Sequence, residues 1–537
     1  MKRRTFVEKL MYMGTAVATS SLRSHGATRA PVLRHGAAST AVEEATEWSR
    51  ALVSGRRTSH ELAKACLRAI RATNLHGPAV RAVLVTDPEV LAKAEALDEL
   101  RGREGSLGPV HGLPILLKDN VDTGDRLPTT AGSLALAGTR APRDAEVTRR
   151  LRNAGALILG KTNLSEWANI RSTRSSSGWS ALGGQTRNPY ALDRSPSGSS
   201  SGSAVAVAAG FCAAAVGTET DGSVVSPAAA CSVVGFKPTV GLVSRRGIIP
   251  ISSTQDTAGP MARTVADTAL LLGAMAGEDP EDPSTLGASR YRESDYTRWL
   301  DPKALQGARL GVARQFFGAH LLVDAQIERQ LGLLRELGAV LVDPVTIPTL
   351  GQFGDAEMEV LLYELKAGLA AYLSTRGDEV PVRTLADIIA FNERHRDREM
   401  ALFDQDLFLR AEAKGPLTDP AYLQAREQCR RLARVEGVEA VLAGHRLDAL
   451  VAPTAGLPWL IDPVAGDAPG GGCSSLPAVA GTPHLTVPAG YVRGLPVGLS
   501  FMGPAWSEAR LLALGYAFEQ AARCRRPPAF LFTAGRL

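Results

Sequence analysis

The sequence predicts an α/β protein. Three observations carry that expectation. Apolar runs of strand length alternate with helix-spaced segments late in the chain: Arg309–Ala313, then Asp324–Leu337, then Ala339–Val342. Hydrophobic residues make up 45% and charged residues 21% of 537 residues, the balance of a folded globular protein large enough for one big domain or two. Finally, Ser195–Pro238 places two Ser/Gly clusters around an apolar run of small residues, Ala204–Gly210. Gly/Ser clusters are often linkers, but linkers do not carry apolar runs that demand burial.

The elements follow in chain order. Arg3-Arg4-Thr5-Phe6-Val7-Glu8-Lys9 precedes an uncharged, moderately apolar run, Leu10–Leu22. A charged segment followed by an apolar one is the layout of an export signal, and the paired arginines resemble a bacterial twin-arginine signal. That reading implies a periplasmic or secreted protein and removes residues 1–40 from the fold, with Thr28-x-Ala30 as one candidate cleavage site. The apolar run is too short to span a bilayer, so no stable membrane insertion is expected. Residues 43–73 read as two helices, the second capped by Thr58 or Ser59 with Leu62, Cys66, Ala69 and Ile70 on one face. Ala79–Val85 reads as a strand, Pro88–Arg101 as a helix and Ile115–Leu117 as a buried strand. Thr264 caps a helix over residues 262–277. The polar segment 279–305 reads as a boundary, and 355–445 as mostly helical. Strands at Ala449–Val451, His484–Val487 and Val497–Phe501 and a helix from Ser507 to Ala522 complete the chain.

Several function classes are disfavoured. Net charge is only +5 and no basic stripe appears, so nucleic acid is not an expected partner. The six cysteines are scattered, with no CxxC pair and no zinc-ligand spacing. Gly155–Thr162 satisfies the P-loop pattern, but its variable positions are Ala-Leu-Ile-Leu, a strand whose N–H groups are committed to a sheet. Asn163 and Ser165 are expected to cap the helix after it. His484 has no evident carboxylate partner and reads as structural.

Two stretches carry chemistry. Lys118 ends the Ile115–Leu117 run. Read alone, it is either a solvated lysine capping a strand or a buried one, and burial lowers a lysine's pKa toward the range of a general base. The clusters Ser197–Ser203 and Gly217–Ser223 offer hydroxyls, which become nucleophiles when a base activates them.

The serine cluster, Gly217-Thr-Glu-Thr-Asp-Gly-Ser223 and Gly235-Phe-Lys-Pro-Thr239 together resemble the amidase signature family, and the order of motifs holds from about residue 45 to the C-terminus. The GTETDGS variant is similar to the bacterial peptide amidases. The resemblance implies a large mixed β-sheet flanked by helices on both faces, in a single domain over 41–537 with a helical lid at about 355–445. It implies Ser223 as nucleophile and Lys118 as base. Between them it implies Ser199, 24 residues before Ser223, as a bridge after a cis peptide bond. The N–H groups of Thr220, Asp221, Gly222 and Ser223 become the oxyanion hole, and Thr173 falls at a substrate-contact position. Neither a metal nor an organic cofactor is implied. The implied substrate is a small-molecule or peptide amide. Where many members carry an arginine after the nucleophile, this chain has Val225, which argues against small acidic amides. Glu219 and Asp221 replace a usual aspartate and glycine. Two other readings stand beside this one: the amidase-type subunit of a glutamyl-tRNA amidotransferase, and a non-catalytic binding protein on the same scaffold.

Overall fold

The computed structural model describes residues 44–377 and 379–535. The twin-arginine segment lies outside these residues. Eleven strands form one mixed sheet and two more form a small hairpin. In chain order they are β1 (Val83–Thr86), β2 (Pro114–Lys118), β3 (Leu157–Thr162), the hairpin β4 (Trp179–Ser180) and β5 (Gly184–Gln185), β6 (Ala214–Glu219), β7 (Val234–Lys237), β8 (Thr257–Ala262), β9 (Arg309–Val312), β10 (Val340–Val342), β11 (Ala449–Pro453), β12 (His484–Val492) and β13 (Leu495–Met502). The sheet order is β1-β3-β2-β6-β8-β7-β12-β13-β11-β9-β10.

Every residue of β2, β3, β6, β7 and β8 is buried. Strands buried on both faces need helices on both faces, and here they have them, which matches the expected architecture. The helix Ser201–Ala208 is buried along its whole length. It lies so close to neighbouring backbone that a Cβ on Gly202 would sit 2.3 Å from the Ala82 carbonyl oxygen, so no other residue fits there.

Pairing directions decide what shares an edge. Strand β2 runs parallel to β6, β8 runs antiparallel to both β6 and β7, and β12 runs antiparallel to β7. The C-terminal ends of β2, β6 and β7 therefore meet the starts of β8 and β12 along one edge. Lys118, the 220–223 turn and His484 all sit there. The helical segment is anchored against the same edge. Its first helix, Gly354–Ser374, brings Glu364 to Ser252 Oγ (2.5 Å) and Tyr372 Oη to Asp122 (2.8 Å), and Arg376 beyond it donates to Asp122 at 3.0 Å.

The helices Ala45–Val53, Ser59–Thr73, Val90–Glu104, Val265–Met275, Leu321–Glu336 and Glu508–Ala522 fall where the periodicity puts them. Thr58 and Glu61 form a full capping box. Three expectations need correction. Ala79–Ala82 is not strand: Ala79 and Arg81 have φ near +51°, and the Asn74 side chain takes the N–H groups of Ala82 and Val83, so the strand begins only at Val83. No regular helix follows β3. Only a short 3₁₀ segment, Glu166–Asn169, forms, because Trp167 and Ala168 adopt left-handed φ and the Asn163 and Ser165 side chains bond elsewhere. The segment 279–305 is no boundary, since Asp279 and Asp282 tie it to Arg246 and Arg245, and Tyr296 and Leu305 are buried. The small-residue strands β6, β7 and β8 carry no strand signature of their own; Gly259 and Pro260 interrupt β8, and its place comes from pairing with neighbours. Among the described residues no helix is long and apolar enough to cross a membrane.

Candidate active site

Lys118 is fully buried at the end of β2. Its Nζ lies 2.7 Å from Ser199 Oγ, 2.8 Å from Thr218 Oγ1 and 3.2 Å from the Thr218 carbonyl oxygen. Burial pushes its pKa down to about 7, and the carboxylates of Asp256 and Glu219 pull weakly the other way. An amine that is partly neutral near pH 7 can take a proton, so the buried reading of Lys118 holds over the solvated one.

The serine cluster sorts itself by hydrogen bonds. Ser200 Oγ bonds the Thr218 backbone, Ser201 Oγ donates to the Ser197 carbonyl, and Ser203 Oγ donates to the Val216 carbonyl. Ser199 is the one whose hydroxyl meets Lys118. The Gly198–Ser199 peptide bond is cis. Ser200 N–H donates to the Ser223 carbonyl at 3.0 Å, which sets the two serine segments side by side. Ser223 retains slight exposure, 8%, whereas Ser199 has none. Of the three residues Ser223 alone keeps any exposure, Ser199 and Lys118 are fully buried, and Ser199 is the serine bonded to the lysine.

The turn after β6 is held from all sides. Thr220 Oγ1 donates to Asp256 at 2.6 Å, Gln255 Nε2 donates to the Thr220 carbonyl at 3.3 Å, and Ser475 Oγ donates to Asp221 at 2.6 Å. Gly222 has φ +75°, the left-handed turn that its missing side chain permits. The N–H groups of Val224 and Val225 donate to Glu219 Oε2. Among the described residues, the N–H groups of Thr220, Asp221, Gly222 and Ser223 have no such acceptor. Free, adjacent backbone donors beside a serine are what a developing oxyanion requires.

Thr173, Lys161 and His484 each have partners of their own. Thr173 is exposed, and both its N–H and hydroxyl bind Asp406 (3.0 and 2.9 Å); no contact joins it to Lys118, Ser199 or Ser223. From that loop it is Ser177 and Gly178 that approach the cluster, through Ser165. Lys161 of the P-loop pattern is buried in β3 and donates to the Val121 carbonyl and Thr129 Oγ1. His484 is buried against Ser500 Oγ at 2.6 Å, with its pKa pushed down to about 3 by burial, in keeping with a structural role. All six cysteines are free thiols. The sequence reading missed Thr218, Asn120, Asp256 and Gln255, which are side chains of ordinary types distinguished only by what they touch.

Comparison with known proteins places the chain among relatives. The family model described as Amidase matches residues 61–512. The native peptide amidase from Stenotrophomonas maltophilia superposes with a TM-score of 0.86 at 52% sequence identity, covering 91% of this chain and 99% of that one. A protein named a probable amidase in Arabidopsis thaliana is 42% identical over 485 residues, 89% of each chain. A protein named a putative amidase in Arthroderma benhamiae is 37% identical over 471 residues, 83% of this chain and 76% of its own. With a family match across most of its length and a fold shared with the peptide amidase, the chain belongs to the amidase signature family and is an amide-hydrolysing enzyme.

Proposed function

We propose that the substrate is a neutral carboxylic amide, with the C-terminal amide of a peptide as the main class, and that Ser223, Ser199 and Lys118 act as nucleophile, bridge and base. The observation that carries this reading is the 2.7 Å bond between Lys118 Nζ and Ser199 Oγ, made by a lysine whose pKa burial holds near neutrality. Neutral Lys118 takes the Ser199 proton as Ser199 takes that of Ser223, and Ser223 Oγ bonds to the amide carbon. The free N–H groups of residues 220–223 receive the oxyanion; one such donor is worth about 2.7–4 kcal/mol in the barrier. The proton returns through Ser199 to the leaving nitrogen as the C–N bond breaks, and water then hydrolyses the acyl-enzyme by the same route.

Two features support the substrate class. Val225 is fully buried and apolar, so it offers no cation to a carboxylate on the acyl side. A cleft of about 450 Å³, lined by Gln255, Val360, Arg430, Gly481 and Trp506, lies on the same sheet edge, and Gln255 reaches from it to Thr220. It offers room for an extended chain. Release of ammonia or amine from peptide amides, aryl amides and small aliphatic amides is the direct test. Turnover of small acidic amides above the peptide amides would reject the class.

The same reading extends to location. Arg3 and Arg4 support export in folded form to the periplasm or beyond, which, with Val225, opposes a role within a cytoplasmic amidotransferase complex. Replacing both arginines by lysine is expected to abolish export; an unchanged periplasmic fraction would exclude the twin-arginine route.

A further inference from the structure

We propose that Thr218 and Asn120 are positioning residues that orient the Lys118 amino group, so that the one bonding direction that changes on proton transfer faces Ser199. This rests on the reading of Lys118 as the base. Donors and acceptors in this buried site decide how the amino group sits. Lys118 Nζ has three partners, Ser199 Oγ, Thr218 Oγ1 and the Thr218 carbonyl oxygen. The carbonyl can only accept. Thr218 Oγ1 also lies 2.9 Å from Asn120 Nδ2, and an amide nitrogen can only donate. When Thr218 Oγ1 accepts from both Asn120 and Lys118, its two lone pairs are filled.

The charged and neutral forms of Lys118 then differ at a single vertex. As an ammonium it has three N–H groups for three acceptors. As an amine it keeps two N–H groups on Thr218, and the lone pair occupies the remaining direction, toward the Ser199 hydroxyl. Nothing need rotate when the proton moves. Without the Thr218 hydroxyl, the amino group turns about its Cε–Nζ bond and presents its lone pair away from Ser199 for much of the time. Asn120 and Thr218 are themselves buried, at 2% and 7% exposure, so water does not stand in for them readily.

The charged groups around Lys118 come from other elements. Asp256 lies in the loop before β8, with Arg245 beside it, and Glu219 ends β6. On the far side Asp119 is turned to Lys161 at 3.9 Å. A Thr218→Val substitution leaves all of these in place and removes only an uncharged acceptor of nearly the same size.

The test is the pH dependence of kcat and kcat/KM for wild type, Thr218→Val, Thr218→Ser, Asn120→Ala and Lys118→Ala, using the amide turned over fastest in the screen above. Thr218→Val is expected to lower kcat by about 10- to 100-fold with KM unchanged. It also takes one hydrogen bond from the ammonium, so the acid limb should move to lower pH. Simple loosening of the site would admit water and move that limb the other way. Thr218→Ser keeps the hydroxyl and should restore both the rate and the limb. Asn120→Ala should lower kcat with KM unchanged, which serves if Thr218→Val folds poorly. A Thr218→Val enzyme with wild-type kcat and limb overturns the proposal, as does a Thr218→Ser enzyme as slow as Thr218→Val. If Lys118→Ala remains active, it is the base assignment that fails; if Lys118→Ala is dead and Thr218→Val is normal, only the positioning role fails.

Discussion

Glu219 and Val225 are joined across the turn that holds Ser223: Glu219 Oε2 accepts the Val225 N–H at 3.0 Å and the Val224 N–H at 2.8 Å. One carboxylate oxygen thus caps the start of the helix Val225–Ala230 and fixes the far side of the turn holding Ser223. By satisfying these two donors, Glu219 separates them from the four that precede them, which have no acceptor among the described residues.

Glu219→Ala should leave two buried N–H groups without an acceptor, at about 1–3 kcal/mol each. The expected outcome is a lower melting temperature together with a kcat loss of about 100-fold, comparable to losing one oxyanion donor. Glu219→Asp, the residue usual in the family, should retain most of both. Thermal melting and steady-state kinetics measure the two effects. A Glu219→Ala enzyme that is less stable yet fully active would show that the turn needs no such cap.

The three proposed catalytic side chains should behave as one unit. Ser223→Ala deletes a hydroxyl from a small-residue segment and should abolish acyl-enzyme formation without unfolding the protein. Lys118→Ala should be nearly as inactive. Ser199→Ala should keep a trace if water links Lys118 to Ser223. Double substitutions should cost little more than the worst single one. A fluorophosphonate probe mapped by mass spectrometry should label Ser223; label on Ser199, Ser200 or Ser201 would overturn the assignment.

The sequence made Lys118, Ser199 and Ser223 legible because their neighbours form ordered motifs, and strands such as β2 and β3 legible because they are continuous apolar runs. It hid β8 behind Gly259 and Pro260, whose strand conformation is imposed by β6 and β7 rather than by propensity. Ala79–Ala82 looked like a strand because nothing local shows that Asn74 will bond back to Ala82 and Val83. Thr218 and Asn120 were in view within their motifs, but their roles depend on a contact between residues 98 positions apart. Matching along a loop gives Thr173 a substrate-contact position, and nothing local in that loop shows its bond to Asp406, 233 residues away.

Glu357 offers a pH test of the helical segment. Burial and the neighbouring Asp221 carboxylate push its pKa up to about 8, and Gln255 Nε2 bonds it at 3.0 Å. A carboxyl raised in the folded state binds protons that the unfolded chain has released. Stability therefore falls as pH rises from the ordinary glutamate value, about 4.3, to about 8. Glu357→Gln removes this dependence. Its melting temperature should exceed that of wild type at pH 8–9 and approach it near pH 4. A constant difference between the two proteins across that window would rule out the titration.

Lys118 should show the opposite sign. Its pKa is depressed from the ordinary lysine value, about 10.4, to about 7, chiefly by burial. Between these values the unfolded chain holds a proton that the folded protein has given up, so stability rises with pH across the window. Below about pH 7 the folded protein must bury a charge, and the penalty is fully present; above about pH 10.4 both states are neutral, and it vanishes. Lys118→Met keeps the length of the side chain and removes the charge. It should be inactive yet melt at a higher temperature than wild type near pH 6, with the gain shrinking steadily toward pH 10. Thermal melts of both proteins at intervals of one pH unit would reveal this convergence. A gain that did not change with pH would mean that folded Lys118 stays charged across the window as it does in the unfolded chain, and a lysine charged throughout could not serve as the base.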